Sequence, residues 1–171
     1  MKKLELTTES ITFLGRTLFR IKALISFGNV KAGELGGYIE KEGNLSHEGD
    51  AWVCDNARVY GDAWVCDNAW VCGDARVYGD ARVCGNAWVC DNARVCGNAD
   101  IATISGFGSE YRTTTFFRTK NNEIAVKCGC FYGTLAEFRE KVKETHGDNR
   151  YAKEYLMIAD LMEMHFSGEE E

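Results

Sequence analysis

The sequence predicts a mainly β protein built around a parallel β-helix, and two observations support this fold class. Six-residue units repeat without interruption from Ala51 to Asn98, with Ala first, Val third and Gly or Asp followed by Asp or Asn at the end. A short fixed period is typical of solenoids, whereas an α-helix requires a period near 3.6 residues. The closing residues also accept left-handed backbone angles at low cost, so each unit is predicted to end in a bend.

Each repeat unit has an inward and an outward side. Ala and Val lie two residues apart and therefore share one side of an extended strand. Small Ala suits a tight inner corner, and Val is expected to form an aliphatic ladder from Val53 to Val95. Trp or Arg at the second position and Cys or Tyr at the fourth position are expected on the other side.

The pattern of small, variable and aliphatic residues resembles the hexapeptide-repeat family of left-handed β-helices, in which three units form one triangular coil. The resemblance implies a left-handed triangular solenoid of three to four coils. Two other parts of the chain, Phe27–Glu40 with Asn44–Ser46 and Cys128–Phe138 with Glu144–Asn149, are similar to a group of uncharacterised bacterial and phage proteins. That group brings no established activity with it.

Less regular units flank the strict repeat and set the predicted domain boundaries. Ile39–Asn44, Leu45–Asp50 and Ala99–Ile104 are interpreted as further coil units. Solenoids require atypical terminal units to cover the open end of their core. The predicted domains are therefore an N-terminal β cap over 1–38, the β-helix over 39–104 and a C-terminal module over 105–171.

The cap and the C-terminal module have their own patterns. In the cap, one side of an alternating strand is expected to carry Phe19, Ile21 and Ala23, and the other side Arg20 and Lys22. The module is predicted to be ββαα, with a capping box from Thr134 to Glu137 starting its first helix. Its remaining predicted features are strands at Tyr111–Lys120 and Glu123–Phe131, a helix stop at Gly147, a second helix capped at Asp148 or Asn149 and a frayed tail at Gly168–Glu171.

Three units per coil separate the second-position residues by face. One face receives Trp52, Trp70 and Trp88; the next receives Arg58, Arg76 and Arg94, with Glu40 one coil earlier; the third receives Ser46, Trp64, Arg82 and Asp100. Trp and Arg are enriched at binding hot spots. The Trp face is therefore predicted to be a continuous contact surface covered by the C-terminal module, a second copy or a partner, with Trp64 and the three Arg as further candidates. A recent duplication would give the same segregation without any function.

Charge and cysteine content restrict the partners and the compartment. The 20 basic and 26 acidic residues give a net charge of −6, which argues against generic nucleic-acid binding. No segment is predicted to span a membrane, and Met1–Thr8 lacks a signal-peptide core, so we expect a cytoplasmic protein. The eight Cys are accordingly expected to be reduced, because disulfides are rare in the cytosol.

Candidate chemistry in the chain is sparse. Many hexapeptide-repeat proteins are acyltransferases with a His base, but the units from Ala51 to Asn98 contain no His, and His47 is interpreted as a turn residue. The spacing of Cys128 and Cys130 is too short for a typical zinc site with His146 or His165. No catalytic residue, metal or cofactor is therefore predicted.

The predicted function is that of a non-catalytic binding or scaffold protein with a protein partner or a second copy of itself. The resemblance to phage proteins implies an accessory role, such as inhibition of a host defence factor in the host cytoplasm. An acyltransferase-like enzyme is the first alternative, and a nucleic-acid or nucleotide binder is the second.

Overall fold

The middle of this mainly β chain forms a β-solenoid of about three turns, and a pair of helices follows later in the sequence, as predicted. The computed structural model describes residues 1–168; the last residues of the predicted frayed tail, 169–171, lie outside the described residues. The chain divides into two compact units, Met1–Asn98 and a second that begins at Ala99. The left-handed winding implied by the resemblance stays a prediction.

The first unit begins with an antiparallel hairpin that continues into the solenoid. Strands β1 (Leu4–Phe13) and β2 (Arg16–Ala23) pair with each other, and β2 pairs antiparallel with β3 (Leu35–Ile39). Strand β3 then runs parallel to the second strand of the coils. The eight coil strands are β4 (Trp52–Val53), β5 (Arg58–Val59), β6 (Trp64–Val65), β7 (Trp70–Val71), β8 (Arg76–Val77), β9 (Arg82–Val83), β10 (Trp88–Val89) and β11 (Arg94–Val95).

The coil strands form three parallel ladders, as the period of eighteen residues predicts. The strand orders are β10-β7-β4, β3-β5-β8-β11 and β6-β9. The two hairpin strands, β1 and β2, pair beside β3 and extend the second ladder to a sheet of six strands. Within the strict repeat, each residue lies beside the residue eighteen positions later. The segregation of second-position side chains by face is therefore confirmed.

The inner side of the coils consists of the Ala and Val positions. Every third-position Val from Val53 to Val95 is fully buried, and the first-position Ala residues are buried as well. The corners use the residues expected to tolerate a left-handed backbone: φ is 55° at Asp55 and 64° at Gly79. The inward assignment of Val is confirmed.

The two units before the strict repeat have a different register from the predicted one. Ile39 lies beside Val59, and Leu45 lies beside Val65, so both occupy the third position rather than the first. Their branched side chains are fully buried in the Val ladder and would not fit the tight corner that Ala occupies. Consequently Tyr38, and not Glu40, precedes Arg58 on its face, and Asn44, and not Ser46, precedes Trp64. The two extra residues lie in the longer corner at 46–50.

The second unit is a four-stranded antiparallel sheet with two helices, and it contains more strands than predicted. Its strand order is β12-β13-β14-β15. Residues 99–104 do not form a coil, because Ile101–Ile104 is the first strand of this sheet and pairs antiparallel with the second. The elements are β12 (Ile101–Ile104), β13 (Thr114–Arg118), β14 (Ile124–Cys128), β15 (Phe131–Thr134), α1 (Leu135–His146) and α2 (Arg150–Ser167).

The helices of the second unit begin and end at the predicted residues. The Thr134 hydroxyl accepts a hydrogen bond from Glu137 N at 3.2 Å, and the Glu137 carboxylate accepts one from Thr134 N at 2.7 Å. Gly147 follows α1 with φ of 62°, and the Asn149 side chain caps α2. Both helices pack apolar side chains against the sheet in a shared core. No helix among the described residues combines the length and apolar character needed to cross a membrane.

Candidate interaction surface on the coils

The three Trp residues of the β4-β7-β10 ladder differ strongly in exposure. Trp52 and Trp70 are register neighbours, as are Trp70 and Trp88. Trp52 is fully buried, Trp70 is half-buried, and 43% of Trp88 is exposed. The Trp70 and Trp88 ring centroids lie 6.3 Å apart at an angle of 47°. Exposure of the indoles therefore increases from the first coil to the third.

The first member of the Trp face is covered by its own unit. The ring of Phe27, in the loop between β2 and β3, packs edge-on against Trp52. Gly36 lies so close to this indole that a Cβ at that position would come within 2.7 Å of Trp52 Cζ2. The predicted contact surface of three indoles is therefore reduced to Trp70 and Trp88.

The mixed face carries a second exposed indole. Trp64 is 38% exposed, and it lies beside Arg82 in the β6-β9 ladder. The guanidinium carbon of Arg82 lies 5.3 Å from the centre of the Trp64 ring, within the range of a cation–π contact. Trp64 and Arg82 thus form a contact pair on this face, although Arg82 was not among the predicted site residues.

The Arg face is occupied by contacts within its own unit. The guanidinium groups of Arg58 and Arg76 lie 4.4 Å and 4.6 Å from the ring centre of Phe13, at the end of β1. Arg94 donates hydrogen bonds to backbone carbonyls, including that of Ala93 at 2.7 Å. Burial, followed by repulsion from Arg76, lowers the pKa of Arg94. These three side chains are half-buried and stabilise the hairpin and the corners.

The cysteine residues do not all remain reduced. Cys66 and Cys84, eighteen residues apart on neighbouring coils, form a disulfide with 4.7 Å between their Cα atoms. The expectation of eight free thiols is therefore wrong for this pair, because parallel stacking brings fourth-position residues within bonding reach. Cys54 and Cys72 occupy an equivalent corner but are not joined by a disulfide. A hydrogen bond with Cys72, followed by burial, raises the pKa of the Cys54 thiol.

Potential metal donors gather at the same two corners. Within residues 1–168, donor atoms of three residues lie within 4.8 Å of one another in two groups, Cys54 with Asp55 and Cys72, and Cys66 with Asp67 and Cys84. In each group the carboxylate already accepts a backbone hydrogen bond, from Gly73 N or from Gly85 N. These carboxylates therefore stabilise the corners by accepting backbone hydrogen bonds from the neighbouring coil.

The histidine nearest the coils takes part in packing of the N-terminal segment. His47 Nδ1 accepts a hydrogen bond from Lys3 N at 3.2 Å, and its Nε2 lies 3.6 Å from a Glu42 carboxylate oxygen. Both ring nitrogens thus have partners in the first unit. This environment is that of the predicted turn residue.

The coils also match a known repeat. Residues 51–67, 69–85 and 75–91 match the model of the YdcK beta solenoid repeat. The matched stretches lie entirely within the coils and cover less than half of the chain, so they describe the repeat and not the second unit. None of the curated proteins matches the chain.

Sequence reasoning missed the residues that cover the coils. Phe13 and Phe27 lie outside the repeat, and no periodic pattern connects them with the Arg or Trp ladders. Gly36 was the available signal, because a glycine within a strand often marks a close approach of another group. The buried Lys3, whose ammonium group lies 4.6 Å from the Phe27 ring centre, had no such signal.

Proposed function

We propose that this chain is a non-catalytic protein-binding solenoid that contacts another protein chain through Trp70, Trp88 and Trp64, supported by Arg82. The observation that carries the proposal is the exposure gradient along the Trp ladder, from a fully buried Trp52 to a Trp88 that is 43% exposed. Trp52 is enclosed within its own unit, whereas Trp88 contacts Trp70 and donates a hydrogen bond to Cys72 Sγ at 3.1 Å but still leaves 43% of its surface exposed. An additional protein surface would bury it.

The exposed indoles have the size and chemistry of binding anchors. A Trp side chain contributes up to about 250 Å², so Trp88 and Trp64 each present roughly 100 Å² to solvent. Trp and Arg are the residue types most enriched at binding hot spots. The Trp64–Arg82 contact also restricts the Trp64 side chain before binding, which reduces the entropy lost on association.

The dimensions of the coils require a partner that spans more than one face. A six-residue unit is at most about 20 Å long and three coils are about 14 Å high, so one face offers roughly 300 Å². A stable interface buries about 800 Å² on each partner. The proposed interface therefore includes both the Trp70–Trp88 ladder and the Trp64–Arg82 ladder.

The absence of a catalytic role is also a proposal. The coil units from Ala51 to Asn98 contain no His. The contacts of His47 with Lys3 and Glu42 support a structural role for this side chain rather than that of a general base. The similarity of the coils to a solenoid repeat brings no activity with it.

We further propose that the protein acts in the cytoplasm as a phage- or prophage-type accessory protein, for example by inhibiting a host defence factor. This step is supported by the resemblance of Phe27–Glu40 and Cys128–Phe138 to uncharacterised bacterial and phage proteins. The similarity of those segments names no partner, so the partner is to be identified by experiment.

The proposal is tested by removing the exposed indoles. The Trp70→Ser/Trp88→Ser double variant and the Trp64→Ser variant are compared with wild type by sedimentation velocity and by quantitative capture from a bacterial lysate. We expect either a lower mass, which identifies a second copy as the partner, or the loss of specific captured proteins. The matched control is Tyr111→Ser, which removes an exposed aromatic residue of the second unit. Variants that remain folded and keep both mass and captured proteins would overturn the proposal.

A further inference from the structure

The second unit contains a cavity of about 310 Å³ that the proposed binding role does not use. Its size lies at the lower end of the range of small-molecule sites. At about 30 Å³ per water molecule, the volume corresponds to roughly ten non-hydrogen atoms. The cavity can thus accommodate a ligand of the size of a substituted benzene.

The floor of the cavity is apolar and aromatic. It is formed by Phe131, Phe138, Val142 and Tyr155. The Phe138 ring lies 5.6 Å from the Phe131 ring and 5.6 Å from the Tyr155 ring, edge-on to the latter. Aromatic rings favour offset or edge-to-face contacts at centroid separations of about 4.5–7 Å. A planar aromatic ligand would extend this existing cluster.

The entrance of the cavity is more basic than the rest of the protein. Arg112 and Lys141 line it, with Glu110 as the opposing acid. Arg112 makes a long ion pair with Glu110, at 3.7 Å, and Lys141 pairs with Glu144 at 3.1 Å. All four side chains are exposed, and ion pairs between exposed groups contribute little, so a ligand can compete for both cations. The chain as a whole carries a net charge of −6. A locally cationic entrance on an acidic protein attracts small anions in preference to cations.

The polar groups inside the cavity are compatible with an anion. Burial raises the pKa of Tyr155 to about 12, so its hydroxyl group remains protonated and uncharged at neutral pH. This hydroxyl donates a hydrogen bond to the Phe107 carbonyl at 3.4 Å. The His146 ring stacks on Tyr155 with 6.0 Å between centroids, at the side of the cavity that α1 forms. Neither group places a negative charge beside the ligand.

We infer that this cavity binds a small aromatic molecule with a single anionic group, the ring lying on Phe138 and Tyr155 and the anion lying between Arg112 and Lys141. Size, apolar floor and cationic entrance each point to this class. A neutral aromatic compound would make no use of the charges of Arg112 and Lys141, whereas an anionic group can compete with the exposed carboxylates that pair with them. A small inorganic anion would leave the apolar floor empty.

The experiment is isothermal titration calorimetry of the full chain with cinnamate, cinnamyl alcohol and inorganic phosphate. We expect cinnamate to bind with a Kd below about 1 mM, at least about tenfold more tightly than the alcohol of the same skeleton. The Arg112→Gln/Lys141→Gln variant should remove this difference. Lys153→Gln is the matched control, because it removes an exposed cation that does not line the cavity.

A second pair of variants tests the location. Thr145 lies exposed at the entrance, so Thr145→Trp should block the cavity without disturbing the core, and Thr145→Ser should leave binding unchanged. Thermal melting monitored by circular dichroism checks the fold of each variant. The inference is overturned if wild type does not bind cinnamate saturably, if phosphate alone binds as tightly, or if folded Thr145→Trp binds like wild type.

Discussion

Phe27 packs edge-on against Trp52, with 5.5 Å between the ring centroids and 70° between the ring planes. A loop residue outside the repeat thereby covers the first indole of the Trp ladder. Trp52 is buried, whereas Trp88, two coils further along the same ladder, remains 43% exposed. Two chemically identical positions of the repeat therefore have different roles, the first in stability and the second, as proposed, in binding.

This difference predicts that the same substitution destabilises the protein to different extents at the two positions. Trp52→Ser should lower the free energy of unfolding by about 3–5 kcal/mol, because it removes a large buried side chain and leaves a cavity. Trp88→Ser should lower it by a smaller amount, about 1–3 kcal/mol, because 43% of that residue is already exposed and only its contacts with Trp70 and Cys72 are lost. Chemical denaturation followed by circular dichroism measures both. Equal effects would contradict the assignment of roles.

Val71 provides a test of the solenoid core. It lies between Val53 and Val89 in the inner ladder and is fully buried. Val71→Asp should destabilise the protein by several kcal/mol or prevent folding, because it buries a charge without a partner. The control is Asn86→Asp, at an exposed corner, where an acceptor oxygen for Asn68 is retained. A Val71→Asp variant with the melting temperature of wild type would show that this position does not face inward.

Two corner glycines separate backbone strain from close packing. Gly79 and Gly85 have φ of 64° and 68°, so Ala at either position should cost about 1 kcal/mol in strain. A Cβ at Gly79 would in addition collide with the Cys96 carbonyl of the next coil, whereas no atom lies within 4 Å at Gly85. Gly79→Ala should therefore lower the melting temperature clearly more than Gly85→Ala. Similar losses would mean that the coils do not approach each other at this corner.

The disulfide between neighbouring coils predicts a defined number of thiols. With Cys66 and Cys84 joined, six of the eight cysteines should react in non-reducing denaturant. Cys66→Ser/Cys84→Ser should lower the free energy of unfolding by about 3 kcal/mol, as estimated for closure of a loop of this length. Cys130→Ser, which removes an exposed free thiol, is the control. Eight reactive thiols after purification without reductant would contradict the pairing.

The buried Lys3 predicts a dependence of stability on alkaline pH. Its ammonium group donates hydrogen bonds to the Gly49 and Ala51 carbonyls, and burial lowers its pKa from 10.5 to about 8, against the attraction of Asp50. Between these two pH values the unfolded chain binds more protons than the folded one, so stability rises with pH in that window. Below pH 8 the cost of burying the ammonium is fully present.

The effect of Lys3 is isolated by a difference measurement. The free energy of unfolding of wild type minus that of Lys3→Met should increase from pH 8 to pH 10.5, by at most about 3 kcal/mol. Urea denaturation at intervals of half a pH unit provides the values. Lys2→Met, which removes an exposed ammonium one residue earlier, is the control. A difference that is constant or decreases over this range would refute the lowered pKa.

The sequence by itself determined the features that repeat locally. Two-residue spacing placed Val71 and its equivalents inward, the corner residues located the bends, and the eighteen-residue period separated the Trp face from the Arg face. The capping box of Thr134 and Glu137 could also be predicted from the sequence, and both of its hydrogen bonds form. Each of these features depends on residues that are close in the chain or related by a constant period.

Only the tertiary structure decided which repeated side chains remain available for binding. Phe13 and Phe27 cover parts of the Arg and Trp ladders. Ile39 lies in the Val ladder, at the third position of its unit instead of the expected first position. Ile101–Ile104 joins the second sheet instead of forming part of a fourth coil. The cavity beside Phe138 likewise arises where α1 and α2 meet β14, β15 and the loop before β13. These outcomes depend on packing between segments far apart in sequence, where the burial of a particular side chain, and not a period, determines the arrangement.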